Sequence, residues 1–336
     1  MASRHLAVRP IVKRREFISL LGGAAASWPF AARTQQPRPV VGFLRSTPQG
    51  SYENNLLAAL GDGLKETGLV DGQNITVESR HAGNRIDRLP VLAAELIKQQ
   101  VGVIVADNVS AIAAKTATTT VPIVFATGGD PVKAGLVASL NRPGGNVTGV
   151  SFFSGELGSK RLELLRQIAP ARTTIGMLLN LETPTAEVEQ KDVQAAAQTM
   201  GQQLMILGAT SDREIESAFA SIVQHQAGAL LVGGSAFLNS RIELIIAQAT
   251  RHRLPAMYFN REAVVAGGLI SYGASLPEAY RQAGIYAGRI LKGEKPADLP
   301  VMRSSTFELV VNLKTARELD LQIPDKVLAL ADEVIE

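Results

Sequence analysis

Residues 40–68, VVGFLRSTPQGSYENNLLAALGDGLKETG, contain one complete unit of the fold. Val40–Leu44 is apolar at consecutive positions and ends in the polar loop Arg45–Asn54. Leu56–Lys65 then places its apolar residues at helical spacing and stops at Gly68. A strand apolar throughout is buried on both faces, and an amphipathic helix directly after it supplies one of the covers. The stretch therefore predicts a strand–loop–helix unit of a parallel sheet.

The same alternation runs down the chain. Strand-like runs are Ile75–Arg80, Val103–Ala106, Pro122–Phe125, Asn146–Phe152, Ile175–Asn180, Leu204–Leu207, Ala229–Gly233, Ala256–Phe259 and Leu269–Tyr272. Helix-length segments between them are Leu89–Gln99, Ser110–Thr118, Glu156–Ile168, Ala186–Met200, Asp212–Gln224, Arg241–His252 and Glu278–Leu291. Ser211-Asp212 with Glu214 reads as a helix start, Pro277 as a first-turn proline, and Gly201, Gly228 and Gly293 as residues just past helix ends. Right-handed crossovers turn such a pattern into doubly wound α/β sheets.

Ten or so strands exceed one comfortable sheet in an ordinary domain. The reading is two doubly wound, Rossmann-like parallel-sheet lobes joined by a multi-strand hinge. The first lobe is expected over 35–154 plus 274–302, and the second over 155–273 plus 303–336. The strand Glu308–Asn312 and the segment Lys326–Ile335 return to the second lobe.

In open parallel sheets, ligands bind beyond the carboxyl ends of the strands. The loops there are Arg45–Asn54, Asp107–Ser110, Ala126–Pro131, Asn180–Thr185, Gly233–Phe237 and Asn260–Glu262. They are rich in Gly, Ser, Thr and Asn and lead into helices, whose free N–H groups can hold an anion. Ser51 and Ser110 are either such donors or helix caps. Gly128-Gly129 and Gly233-Gly234 permit close backbone approach or tight turns. Of the scarce aromatic residues, Tyr52, Phe152, Phe237 and Tyr258 fall in or beside these loops, as ring clamps or core. Asp130 and Glu262 can pair an ammonium and Arg261 a carboxylate, or each can be a solvated or capping charge.

Catalytic signatures are missing. The sequence has no Gly-x-Ser-x-Gly elbow, no phosphate loop and no His-Glu-x-x-His helix. The histidines are His5, His81, His225 and His252, none in a predicted cleft loop. With no cysteine, disulfides, thiolate metal sites, a cysteine nucleophile and a lipid-modified N-terminal cysteine are excluded. The expectation is a protein that binds without catalysis, cofactor or metal.

The N-terminus carries its own message. Arg14 and Arg15 precede a weakly apolar stretch, Ile18–Ala26, and small residues lead to Ala32-Arg33-Thr34 and a polar junction. This predicts an export signal over 1–34, too short to be a stable span, and the paired arginines suggest the twin-arginine route. That segment has a net charge of +5 against +3 for the whole chain, so the remainder stands at −2. No nucleic-acid footprint is expected.

Several segments resemble a known family. They are RREFISLLGGAA (Arg14–Ala25), DGQNITVESR (Asp71–Arg80), TTTVPIVFATGGDPVKAGLVASLNRPGGNVTGVSFF (Thr118–Phe153), GSKRLELL (Gly158–Leu165) and AGRILKGEKPADLPV (Ala287–Val301). Together they resemble the ABC-transporter substrate-binding proteins that include tryptophan- and tyrosine-binding members. The resemblance implies a type I periplasmic binding fold that closes on a small solute in the periplasm. It implies delivery to an inner-membrane permease driven by a separate ATPase. It also implies ligand contacts at Ser46, Tyr52, Asn54, Asp107, Asn108, Thr127, Gly128, Asp130, Phe152, Ser235, Phe237 and Asn260. An amino acid or similar small carboxylate or aromatic solute is favoured. The rival reading is a periplasmic sensing module for a membrane receptor.

Overall fold

The computed structural model describes residues 38–152, 157–169, 173–304 and 307–336. The expected export signal and the first inter-lobe crossing, at 153–155, lie outside them. Two α/β lobes are present, each built on its own sheet.

The first lobe strings together β1 (Val40–Arg45), α1 (Ser51–Glu66), β2 (Thr76–His81), α2 (Leu89–Lys98), β3 (Val103–Asp107), α3 (Asn108–Ala117), β4 (Ile123–Thr127) and β5 (Val147–Ser151). It is completed from far along the chain by α10 (Leu276–Leu291) and the short β11 (Met302–Arg303). Its six-stranded sheet has the order β11-β5-β4-β3-β1-β2 and is parallel throughout.

The second lobe contains α4 (Gly158–Ile168), β6 (Ile175–Leu179), α5 (Pro184–Thr199), β7 (Leu204–Gly208), α6 (Asp212–Gln224), β8 (Ala229–Val232), α7 (Ala236–Ser240) and α8 (Ile242–Arg251). It continues with β9 (Ala256–Tyr258), α9 (Arg261–Val265), β10 (Ile270–Ala274), β12 (Phe307–Asn312), α11 (Leu313–Glu318), α12 (Asp325–Leu328) and β13 (Glu333–Ile335). The sheet order is β13-β12-β10-β9-β8-β6-β7.

One pairing departs from the expected parallel sheets, because β12 runs antiparallel to β10. Topology requires it. β11 ends at the carboxyl edge of the first sheet, and the chain enters the second lobe from that side. The next described elements after β5 and β10 are the helices α4 and α10, which carry the chain away from the edge before any new strand. The next described element after β11 is a strand, which must run the opposite way. β10 holds Ala274 in the second sheet and β11 holds Arg303 in the first, each one residue from the expected division.

Period-two alternation buries both faces of each sheet. In the first lobe, Val41, Phe43, Val103, Val105 and Val124 pack under α1 and α10, whereas Leu44, Ile104, Ala106, Ile123 and Phe125 pack under α2 and α3. In the second, Ile175, Met177, Leu179 and Leu231 face one core, and Leu178, Leu230, Val232 and Tyr258 face the other. Helices α1 and α10 cross at Gly63 and Gly284. A Cβ at Gly63 would lie 1.9 Å from the Arg281 carbonyl oxygen, and one at Gly284 would lie 2.2 Å from that of Leu60.

The expected cap forms at Ser211, which accepts from Glu214 N–H, and Pro277 lies in the first turn of α10, which Ser275 caps by accepting from Glu278 N–H. Gly201 and Gly293 take positive φ past α5 and α10. After α6 the positive-φ residue is Gln226 instead of Gly228. Gly228 is required for another reason, since a Cβ there would strike the Thr173 side chain.

Candidate functional site

The carboxyl ends of both sheets face one cavity of about 130 Å³. That is close to the roughly 150 Å³ of an apolar cavity that accepts benzene. The first lobe lines it with residues after β1, β3, β4 and β5 and with Leu276 and Tyr280 of α10. The second lobe contributes Asn180, Glu182, Thr183, Thr185 and Thr210, then Gly234 to Phe237, Asn239 and Phe259.

The floor on the first-lobe side is a buried ionic network. β1 ends at Arg45, which is 2% exposed. Its Nε donates to Glu53 Oε2 at 2.7 Å and its Nη2 to Glu53 Oε1 at 3.0 Å. Nη1 donates to the Tyr280 hydroxyl and lies 3.6 Å from Asp107 Oδ2. The guanidinium also sits 5.0 Å from the Tyr280 ring centroid and 5.5 Å from that of Phe43. Burial alone would lower the pKa of Arg45, but the charges of Glu53 and Asp107 overcome it, and Arg45 is held above its ordinary value. Thr47 Oγ1 donates to Glu53 Oε1 at 2.5 Å.

Asp107 joins the network to α3. Its Oδ2 accepts from Ser46 N–H and Ser46 Oγ, both at 2.8 Å, and its Oδ1 accepts from Ser110 N–H at 3.0 Å as the helix cap. Tyr52 faces the same cavity. Burial raises its phenol well above the ordinary value, Arg45 opposes that, and Glu53, Glu262 and Asp107 add to it. The phenol therefore stays protonated at neutral pH. His81 lies behind the site with Nδ1 3.3 Å from the Thr47 carbonyl, and burial lowers its pKa.

The second-lobe side is framed differently. Arg161 Nη2 donates to Glu189 Oε1 at 2.7 Å within the lobe, and Glu189 Oε2 accepts from Gly234 N–H at 3.0 Å. Burial raises Glu189 and lowers Arg161 from their ordinary values. This pair fixes the β8–α7 loop from below. Ser235 caps α7 by accepting from Leu238 N–H at 3.1 Å, which directs Phe237 into the cavity. The lobes stand close together. A Cβ at Gly129 would lie 2.3 Å from Cγ2 of Thr185. Phe259 of the second lobe is part of the first-lobe core.

Nine of the sequence-predicted residues line the cavity: Ser46, Tyr52, Asp107, Asn108, Thr127, Gly128, Phe152, Ser235 and Phe237. Three do not. Asn54 is exposed, because the helical phase of α1 turns Glu53 inward instead. Asp130 is engaged locally, accepting from Val132 and Lys133 N–H at 2.9 and 3.1 Å. Asn260 is fully buried one layer back, donating to Asn239 Oδ1 at 2.5 Å and capping α9. Tyr258 is core, and Ser110 is a buried neighbour of the cap.

The sequence reading placed Arg45 in a cleft loop without choosing it as a contact, and it missed Asn84, Asn239 and Tyr280 as lining residues. Arg45 follows an apolar strand and was legible as an unusual charge at its end. Tyr280 meets Arg45 across 235 residues, a distance no local pattern bridges. Among the described residues, no cluster of three or more His, Asp or Glu is placed to hold a metal ion. No described helix is long and apolar enough to cross a membrane.

The family described as ABC transporter substrate binding protein matches residues 54–335. The chain belongs to that family. Its members bind solutes and are not enzymes. A tyrosine-binding protein of Clostridioides difficile (strain R20291) is 28% identical over 260 residues, covering 77% of this chain and 74% of that protein. An ABC domain from Streptococcus pneumonia in complex with L-Trp superposes with a TM-score of 0.80 at 26% identity, covering 89% of this chain and 100% of that one. The ligand-free, open structure of a Clostridium difficile substrate binding protein with adhesive properties has the same 26% identity. It superposes with a TM-score of only 0.63, covering 88% and 99%. The fold is the type I periplasmic binding fold.

Proposed function

We propose that the protein is the periplasmic solute-binding component of an ABC importer, closing its lobes on an amino acid or similar small carboxylate or aromatic solute. The carrying observation is the cavity lined from both sheets, by Tyr52, Phe152 and Phe237 together with polar side chains. The tyrosine- and L-Trp-binding relatives support an aromatic amino acid. The nine lining residues predicted from sequence are the proposed ligand contacts.

Closure removes water, so fixed hydrogen bonds discriminate strongly between solutes. Micromolar affinity needs about 8 kcal/mol, within reach of one buried ring and a few charge-assisted hydrogen bonds. The chain passages between the lobes act as the hinge. The closed shape would be read by an inner-membrane permease driven by a separate ATPase. Export proceeds through the signal at 1–34 by the twin-arginine route, and the lobes divide near 35–154 plus 274–302 and 155–273 plus 303–336.

Calorimetry against the common amino acids and small carboxylates tests the solute class, and L-tyrosine and L-tryptophan are expected among the binders. A panel with no binder would overturn it. Replacing Arg14 and Arg15 by lysine should stop export, and unaffected export would reject the twin-arginine route.

A further inference from the structure

We propose that Asn239 is the specificity-determining donor of the second lobe, oriented by Asn260 to receive the carboxylate of a solute with no net negative charge. The inference rests on the amino-acid reading of the cleft and deepens it.

Helix α9 begins with a free backbone N–H at Ala263, which needs an acceptor. Asn260 Oδ1 supplies it at 3.3 Å, and this fixes the Asn260 amide. Its Nδ2 must then point the other way, where it donates to Asn239 Oδ1 at 2.5 Å. Asn239 has no freedom left to flip. Its Nδ2, opposite the oxygen that faces Asn260, is buried and without any partner, in a residue that lines the cavity and is only 2% exposed. A buried donor without an acceptor is costly, so a solute that supplies one is favoured over a close analogue that does not.

The first lobe offers complementary atoms. Asn108 lines the cavity, and its Oδ1 is buried, unpartnered and in need of a donor. Asp107 sits beside it. An ammonium therefore belongs at the first lobe and a carboxylate at the second, so one zwitterion spans both lobes.

Charge sets the class. Among the described lining residues, Arg45 is the only cation, and its guanidinium is already engaged by Glu53, Tyr280 and Asp107. Asp107 of the first lobe and Glu182 of the second are acids lining the cavity, with Glu53 directly behind Arg45. A single carboxylate can be held by neutral amide donors, but a second would meet acids and no available cation. Dicarboxylic amino acids are thus rejected.

The test has two arms on the full chain. In the first, the ¹⁵N side-chain amide signal of Asn239, assigned by its loss in Asn239→Asp, is followed without solute. Being buried but unbonded, it is expected to exchange faster than the hydrogen-bonded side-chain amide of Asn260, and exchange as slow as that of Asn260 would overturn the proposal. In Asn260→Asp, which keeps the cap acceptor and loses the donor, the signal should shift while the melting profile stays intact. An unmoved signal would remove Asn260 from its positioning role.

The second arm measures binding of L-tyrosine, L-tryptophan, tyramine and L-glutamate. Asn239→Asp should weaken the two aromatic amino acids by about 10- to 100-fold and leave tyramine, which lacks the carboxylate, nearly unchanged. Equal weakening of both types, or tight binding of L-glutamate to the wild type, would overturn the proposal. If the wild type binds none of the probes, the proposed solute class fails, and the exchange arm still decides the orientation of Asn239.

Discussion

Removal of Glu53 isolates the buried charge network from everything else in the site. Glu53→Ala leaves the Arg45 guanidinium, 2% exposed, without its two-point partner, and it also releases the Thr47 hydroxyl. Breaking a buried pair from one side costs about 3–5 kcal/mol, since the remaining charge is desolvated and uncompensated. Asp107, at 3.6 Å, stays in place and offsets part of the loss, so the lower end applies. At about 2–4 °C per kcal/mol for domains approaching this size, the melting temperature should fall by about 6–12 °C. Urea titration monitored by circular dichroism, together with calorimetry, gives both readouts. The control is Asn54→Ala on the adjacent, exposed position, expected within about 0.5 kcal/mol of the wild type. The double variant Arg45→Met/Glu53→Leu removes both charges and should recover at least half the loss. A change of under about 2 °C for Glu53→Ala, or no recovery in the double variant, would refute the reasoning that charge pairing holds this floor together.

Three further outcomes follow from the same geometry. Gly284→Ala should destabilise by at least about 1 kcal/mol in urea titration, because the backbone clash with Leu60 exceeds the gain in helix propensity. Gly61→Ala, with open space around it, should stabilise by up to about 1 kcal/mol. Gly129→Val pushes against Thr185 across the cleft and should weaken solute affinity about 5- to 100-fold by calorimetry, while costing the solute-free protein less stability than Gly284→Ala. His81 has a pKa lowered mainly by burial, so the folded state binds its proton less readily than the unfolded state. Its contribution is complete above the ordinary value of 6.5 and is lost as pH falls below it. Melting curves across that window should slope less steeply in His81→Gln.

Much of this architecture was readable because strands and helices announce themselves locally. Val40–Leu44 and Val103–Ala106 could only be two-sided strands, and the loops following them had to gather at one edge. What escaped was decided across the chain or by a single residue of helical phase. Asn54 and Glu53 are neighbours in sequence, yet the phase of α1 buries one and exposes the other. Asn260 stood at the right strand end but a short α9 captured its carbonyl, and the residue that reaches the cavity, Asn239, lies within α7. Asp130 met two N–H groups of its own loop before any solute could. The antiparallel β12 arose from a crossing without a helix, a property of the path between lobes and not of the strand's residues.

The central claim is that two lobes enclose one small solute and release it unchanged. Calorimetry with L-tyrosine and L-tryptophan, followed by mass spectrometry of the recovered solute, tests it most directly. The account predicts one molecule bound per chain and an unaltered mass. Binding of neither, or recovery of a chemically altered product, would contradict it.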